Sequence, residues 1–164
     1  MNRLLVAAWR LTLALWVGGI AVFTFLLTPA LFAHYPRDEA GRIVGVLFPL
    51  YFPYLTALSL LALLWYALLH PGFRRGLVGA AGILLLAALA ANGVNQLWTH
   101  PQSRALKAEI HFGEDLPAEH PARARFARLH GVSMALNLFV LADGLVLLLG
   151  DSRWWRVRER SRSG

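Results

Sequence analysis

Apolar residues fall into four long blocks, approximately 11–33, 44–69, 77–98 and 132–149, separated by shorter polar segments. A helix that crosses a bilayer needs roughly 20 mostly apolar residues at about 1.5 Å of rise each, and each block is near or above that length. In lipid, only helices and closed barrels satisfy their own backbone. Runs such as 58–69 and 83–91 lack the apolar–polar alternation of a barrel strand. The pattern predicts an all-α fold: an integral membrane, antiparallel four-helix bundle over residues 1–150, followed by a tail at 151–164.

Local signals place the ends of these elements. Gly18-Gly19 in the first helix lets a neighbouring backbone approach closely. That helix is expected to end near Pro29, before an outer loop at 34–42. Asp38 is the candidate N-cap of the second helix, which Pro49 and Pro53 should bend and His70-Pro71-Gly72 should close. The third helix, rich in Ala and Gly, is expected to stop at His100-Pro101. An outer segment at about 101–129 follows, with a short amphipathic helix at 104–112 and a breaker at 113–121. After Pro121, helical spacing runs unbroken into the fourth helix.

Charge orients the bundle. The net charge of +7 is unevenly placed. Arg3, Arg10, Arg74, Arg75, Arg153, Arg156, Arg158, Arg160 and Arg162 fall on one side, opposed only by Asp151 and Glu159. On the other side, Arg37, Arg42, Arg104, Lys107, Arg123, Arg125 and Arg128 are nearly balanced by Asp38, Glu39, Glu109, Glu114, Asp115 and Glu119. The positive-inside rule then puts both termini in the cytoplasm, as an even number of spans also requires. Trp154 and Trp155 at the head of the arginine tail suit a headgroup region with anionic lipid, so membrane lipids and not nucleic acid are the expected partners. The first apolar block is too long for a signal peptide's core and lacks a small-x-small cleavage site, so it reads as a retained helix. At 164 residues there is room for one membrane domain. With no cysteine, disulfides and thiolate metal sites are excluded.

Polar groups are costly in lipid, so their placement is the main functional signal. Asn92, Asn95, Gln96 and Thr99 share one face of the third helix, and His130, Ser133 and Asn137 one face of the fourth. Thr24 and Thr28 form an i, i+4 pair on the first, and Tyr51 and Tyr54 an i, i+3 pair on the second. In the expected topology all four sets lie in the outer half. They form either a pocket that binds or passes a small molecule or lipid, or hydrogen bonds that join the helices. The candidate ligand-binding set is Thr24, Thr28, Tyr51, Tyr54, Asn92, Asn95, Gln96, His130, Ser133 and Asn137. His130 can bind a ligand group, carry a proton or coordinate metal, or serve as a satisfied interfacial residue.

Asp143 is the lone acid inside a span. Arg10 is its candidate partner by depth, in an intramembrane ion pair; a proton- or ion-coupling carboxylate is the alternative. His100, His111 and His120 lie among acids but without HxxxH or HExxH spacing, and read as a solvated loop. No phosphate loop, nucleophile elbow or catalytic carboxylate pair is present, so the residues lean away from an enzyme without deciding the point.

Three blocks carry a family resemblance: Leu47-Phe48-Pro49-Leu50-Tyr51-Phe52, Asn95-Gln96-Leu97-Trp98-Thr99-His100-Pro101, and Phe126-Ala127-Arg128-Leu129-His130-Gly131-Val132-Ser133 with Asn137. In these the chain resembles the eukaryotic transmembrane protein 205 family and its bacterial relatives, a four-helix membrane family without an established activity. The resemblance implies a multi-pass protein of the bacterial inner membrane. More distantly, Thr28-Pro29-Ala30-Leu31-Phe32-Ala33-His34 is similar to the end of the first helix in HemJ-type and CopD-type membrane proteins. That similarity implies, as the alternative function, a redox protein with haem b or copper as cofactor and with His34 and His130 as the candidate ligands. A scaffold is the remaining expectation, its small-residue faces at Gly18-Gly19 and 79–82 pairing with another membrane protein or a second copy.

Overall fold

The computed structural model describes residues 3–69, 79–112 (His111 and Phe112 as backbone) and 120–150. Four helices dominate: α1 (Arg3–His34), α2 (Arg37–Leu69), α3 (starting at Ala80 and reaching Phe112) and α4 (Pro121–Leu149). All four are long and apolar enough to cross a membrane. The breaker residues 113–119, with Glu114, Asp115 and Glu119, lie outside the described residues. So do residues 70–78, with the expected helix end His70-Pro71-Gly72 and with Arg74 and Arg75, and residues 151–164.

Two helices contain a wide turn. α1 passes through a π-helical segment at Val22–Leu27, and α3 through one at Asn95–Thr99. Each lies just before a proline, Pro29 and Pro101. Proline lacks the N–H that the helix ladder needs, and its ring crowds the carbonyl one turn back. An extra residue in the preceding turn relieves both problems, and threonine completes the adjustment. Thr28 Oγ1 donates to the Phe23 carbonyl at 2.8 Å and Thr99 Oγ1 to the Val94 carbonyl at 3.0 Å, each five residues back.

For this reason α3 does not stop at His100-Pro101 as the sequence suggests. The expected separate helix at 104–112 is the continuation of α3 (His100–Phe112). Similarly α2 starts at Arg37, so Asp38 and Glu39 sit in its first turn, near the positive end of the helix dipole, instead of Asp38 capping it. Pro49 and Pro53 lie inside α2 without ending it. α4 begins as expected at Pro121, whose missing N–H costs nothing there. The His120 ring accepts from the Ala122 N–H at 3.3 Å.

Each helix packs on the next, and α4 returns against α1. Trp9, Leu13, Trp16 and Ile20 form the inward stripe of α1, facing Leu55, Ala62 and Tyr66 of α2, Leu85 and Ala88 of α3, and Val140 and Leu147 of α4 in one core. Outside, Leu11, Leu50, Leu60, Leu97 and Val146 are exposed, the surface expected of a protein solvated by acyl chains. Helices in lipid associate through close packing and interhelical hydrogen bonds. Both occur where α1 crosses α4: Gly144 admits Trp16 and Val17, and the Trp16 indole N–H donates to the Val140 carbonyl at 3.2 Å.

Candidate functional site

The half of the bundle nearest the α1–α2 turn holds most of the polar side chains singled out above, and they are bonded to one another. Asn137 on α4 is the hub. Its Oδ1 accepts from the Tyr51 hydroxyl of α2 at 2.7 Å, and its Nδ2 donates to Thr24 Oγ1, in the π-turn of α1, at 2.9 Å. One side chain thereby ties three helices. The Tyr51 ring stacks on Phe23 with centroids 4.1 Å apart, so its position is fixed at both ends.

A second layer joins α3 to its neighbours. Buried Asn95 donates to the Ser133 carbonyl at 3.4 Å and accepts from Thr99 at 2.9 Å. Gln96 accepts from Thr56 at 2.7 Å. One turn deeper, Asn92 donates to Ser59 Oγ at 2.8 Å, and Ser59 donates onward to the Leu55 carbonyl. Towards the other end, Trp65 donates to Thr12 Oγ1 at 3.1 Å. Thr12 is a single hydroxyl in an apolar run with no spacing signal, whereas Thr56 and Ser59 form an i, i+3 pair that was not singled out from sequence.

The remaining candidates are placed differently. Thr28 bonds only within α1. Tyr54 reaches across to the Leu15 carbonyl at 2.9 Å, over Gly19, where any side chain would collide with its ring. His130 is exposed and stacks on Phe126 at 6.1 Å, away from the Asn137 hub. His34 is also exposed, its Nδ1 2.8 Å from the Ala30 carbonyl. Among the described residues no three His, Asp or Glu side chains converge as a metal-ligand set. His100, read from sequence as part of a loop, packs edge-on against Phe48 and Phe52 at 5.5 Å, with its Nε2 buried and without a hydrogen-bond partner.

Among the described residues, no hydrogen bond joins the candidate pair Arg10 and Asp143. Asp143 is buried and neither of its oxygens has a hydrogen-bond partner. Arg10 follows fully buried Trp9, and one residue of helix turn carries its side chain to the exposed face.

Two recesses indent this half of the surface. Between α1 and α2, a groove of about 390 Å³ is lined by residues including Leu15, Gly18, Gly19, Phe23, Tyr51 and Tyr54. It is almost wholly apolar, and the stacked Phe23–Tyr51 pair forms part of its wall. Between α2 and α3, a recess of about 520 Å³ is lined by Asp38, Glu39, Arg42, Arg104 and Lys107. There the Lys107 ammonium lies over Gly41 and Gly45 and donates to the Gly41 carbonyl.

Residues 11–111 match the family described as a domain of unknown function, DUF4149. The chain belongs to that family. The match covers α1 from Leu11 onward, all of α2 and nearly all of α3, including both π-turns and every lining residue of the two recesses. No curated protein and no solved structure matches the chain.

Proposed function

We propose that this DUF4149 protein binds an amphiphile, a lipid or an apolar small molecule, in the outer half of its bundle. The observation that carries this reading is the groove between α1 and α2, because it is apolar, open to the side and walled by a fixed aromatic pair. Its lining includes Tyr51 and Tyr54, two of the residues singled out from sequence. The hydrogen-bonded hub behind it holds the wall in place and is not itself the binding surface. The charged recess at the same end offers cations and carboxylates at the depth where headgroups lie.

The setting is an antiparallel bundle in a bacterial inner membrane with both termini in the cytoplasm, related to the transmembrane protein 205 family. Supporting the antiparallel arrangement, Leu15 meets Tyr54 while Thr12 meets Trp65, further along α2. The charge asymmetry of the loops supports the orientation.

Gly18 provides the test. It lines the groove, and a Cβ there meets nothing within 4 Å, so Gly18→Leu directs its side chain into the open groove. Native mass spectrometry of protein extracted in mild detergent should show a retained adduct on the wild type. In Gly18→Leu its retention should fall about tenfold, equivalent to about 1.4 kcal/mol, with unchanged helicity. Equal retention by both proteins would remove the groove from consideration.

A further inference from the structure

Among the described residues, Asp143 is the one buried charged side chain. It is 3% exposed, shares its helix face with fully buried Val140 and Leu147, and has no hydrogen-bond partner for Oδ1 or Oδ2. The neighbouring turn is already committed: Gly144 is filled by Trp16 and Val17, and the Trp16 N–H bonds to the Val140 carbonyl.

Among the described residues, no charge on the surrounding helices lies against it: the ionisable groups are placed elsewhere. On α1, Arg3 and Arg10 are exposed. α3 carries no ionisable side chain from Ala80 to Thr99, and α4 none from Gly131 to Leu149 other than Asp143 itself. α2 contributes buried Tyr66 at this end of the bundle. The ionisable groups His100, Arg104, Lys107 and Glu109 of α3, and His130 of α4, belong to the opposite end. His130 alone is 13 residues away, about 20 Å of helix.

An ionised carboxylate that is buried, unpaired and without donors costs several kcal/mol. A metal ion would need further ligands, and no group of three His, Asp or Glu side chains exists among the described residues. A single proton cancels the charge and needs no other ligand. We propose that Asp143 is a proton-binding site inside the membrane-spanning bundle, a carboxylic acid held neutral and exchanging its proton with water at the Leu149 end. Six residues, about 9 Å of helix, separate it from that end. This site is independent of the amphiphile groove, which opens between α1 and α2, whereas Asp143 belongs to α4 and is buried.

Infrared spectroscopy of the full chain in liposomes tests the assignment, using wild type minus Asp143→Asn. At neutral pH the difference spectrum should contain the carbonyl band of a protonated carboxyl free of hydrogen bonds. That band should shift in heavy water and give way reversibly to carboxylate bands as the pH is raised. Carboxylate bands already present at neutral pH would overturn the proposal, as would a carbonyl band that heavy water and alkali leave unchanged. Should Asp143→Asn fail to fold, the wild type alone decides by reaction with a lipophilic carbodiimide. The acid's proton moves to a carbodiimide nitrogen while a carboxyl oxygen bonds to the central carbon, so the adduct mass is the sum of the two. A mapped adduct on Asp143 that diminishes in alkali supports the site; no adduct on Asp143 at neutral pH overturns it.

Discussion

Gly144→Leu should destabilise the bundle by about 3 kcal/mol, the upper range for overpacking a filled core. A Cβ at Gly144 would lie 3.0 Å from Val17 Cγ2 and 3.2 Å from the Trp16 indole nitrogen. Trp16 cannot step aside: it has no exposed surface, and its N–H is bonded to the Val140 carbonyl. Relief therefore requires α1 and α4 to part, which opens the stripe of Trp9, Leu13 and Trp16. Gly93 and Gly131 provide the internal control, since a Cβ at either meets nothing within 4 Å. Alanine at those two positions should be neutral or stabilising, by up to about 1 kcal/mol from helix propensity. Equilibrium unfolding in mixed detergent, followed by tryptophan fluorescence, measures all three. A Gly144→Leu protein as stable as the wild type would mean that α1 and α4 do not cross closely here.

The spans were legible in the sequence because length and hydropathy report directly on what lipid tolerates. The π-turns were not. Pro29 and Pro101 read as stop signals, since a proline normally ends a helix pattern. The structure instead absorbs each with one extra residue and a threonine hydroxyl, and α3 runs on to Phe112. Periodicity placed Asn92, Asn95 and Thr99 on one face, and all three are buried. It could not place His130, which shares spacing with Ser133 and Asn137 but is exposed at the start of their helix face. Depth along the chain brought Arg10 and Asp143 to the same level. In the structure Gly144 packs on Trp16 and Val17, six to seven residues along α1 from Arg10, and buried Trp9 turns Arg10 outward. The outcome is an isolated buried carboxyl where the sequence suggested a pair.

Asn137→Leu should cost about 1–3 kcal/mol, because it removes bonds to two other helices and leaves the Tyr51 and Thr24 hydroxyls only each other. Interhelical hydrogen bonds in membranes average about 0.6 kcal/mol and reach about 1.7. At 2.7 Å and only 8% exposed, the Tyr51–Asn137 bond belongs near the upper value. A double-mutant cycle with Tyr51→Phe should accordingly give a coupling of about 1–2 kcal/mol. Coupling near zero would show that the two side chains do not depend on each other.

The same cycle separates stability from ligand retention. The Tyr51 ring is part of the groove wall and is held there by Asn137 at its hydroxyl and Phe23 at its face. Releasing the hydroxyl frees the wall, so Asn137→Leu should weaken amphiphile retention as well as the fold. Thr56→Val removes a comparable bond, to Gln96, that touches neither recess. It should reduce stability by about 0.5–1.5 kcal/mol and leave retention unchanged. If both variants lost retention in proportion to their stability, the hub would be holding the bundle together without shaping the groove.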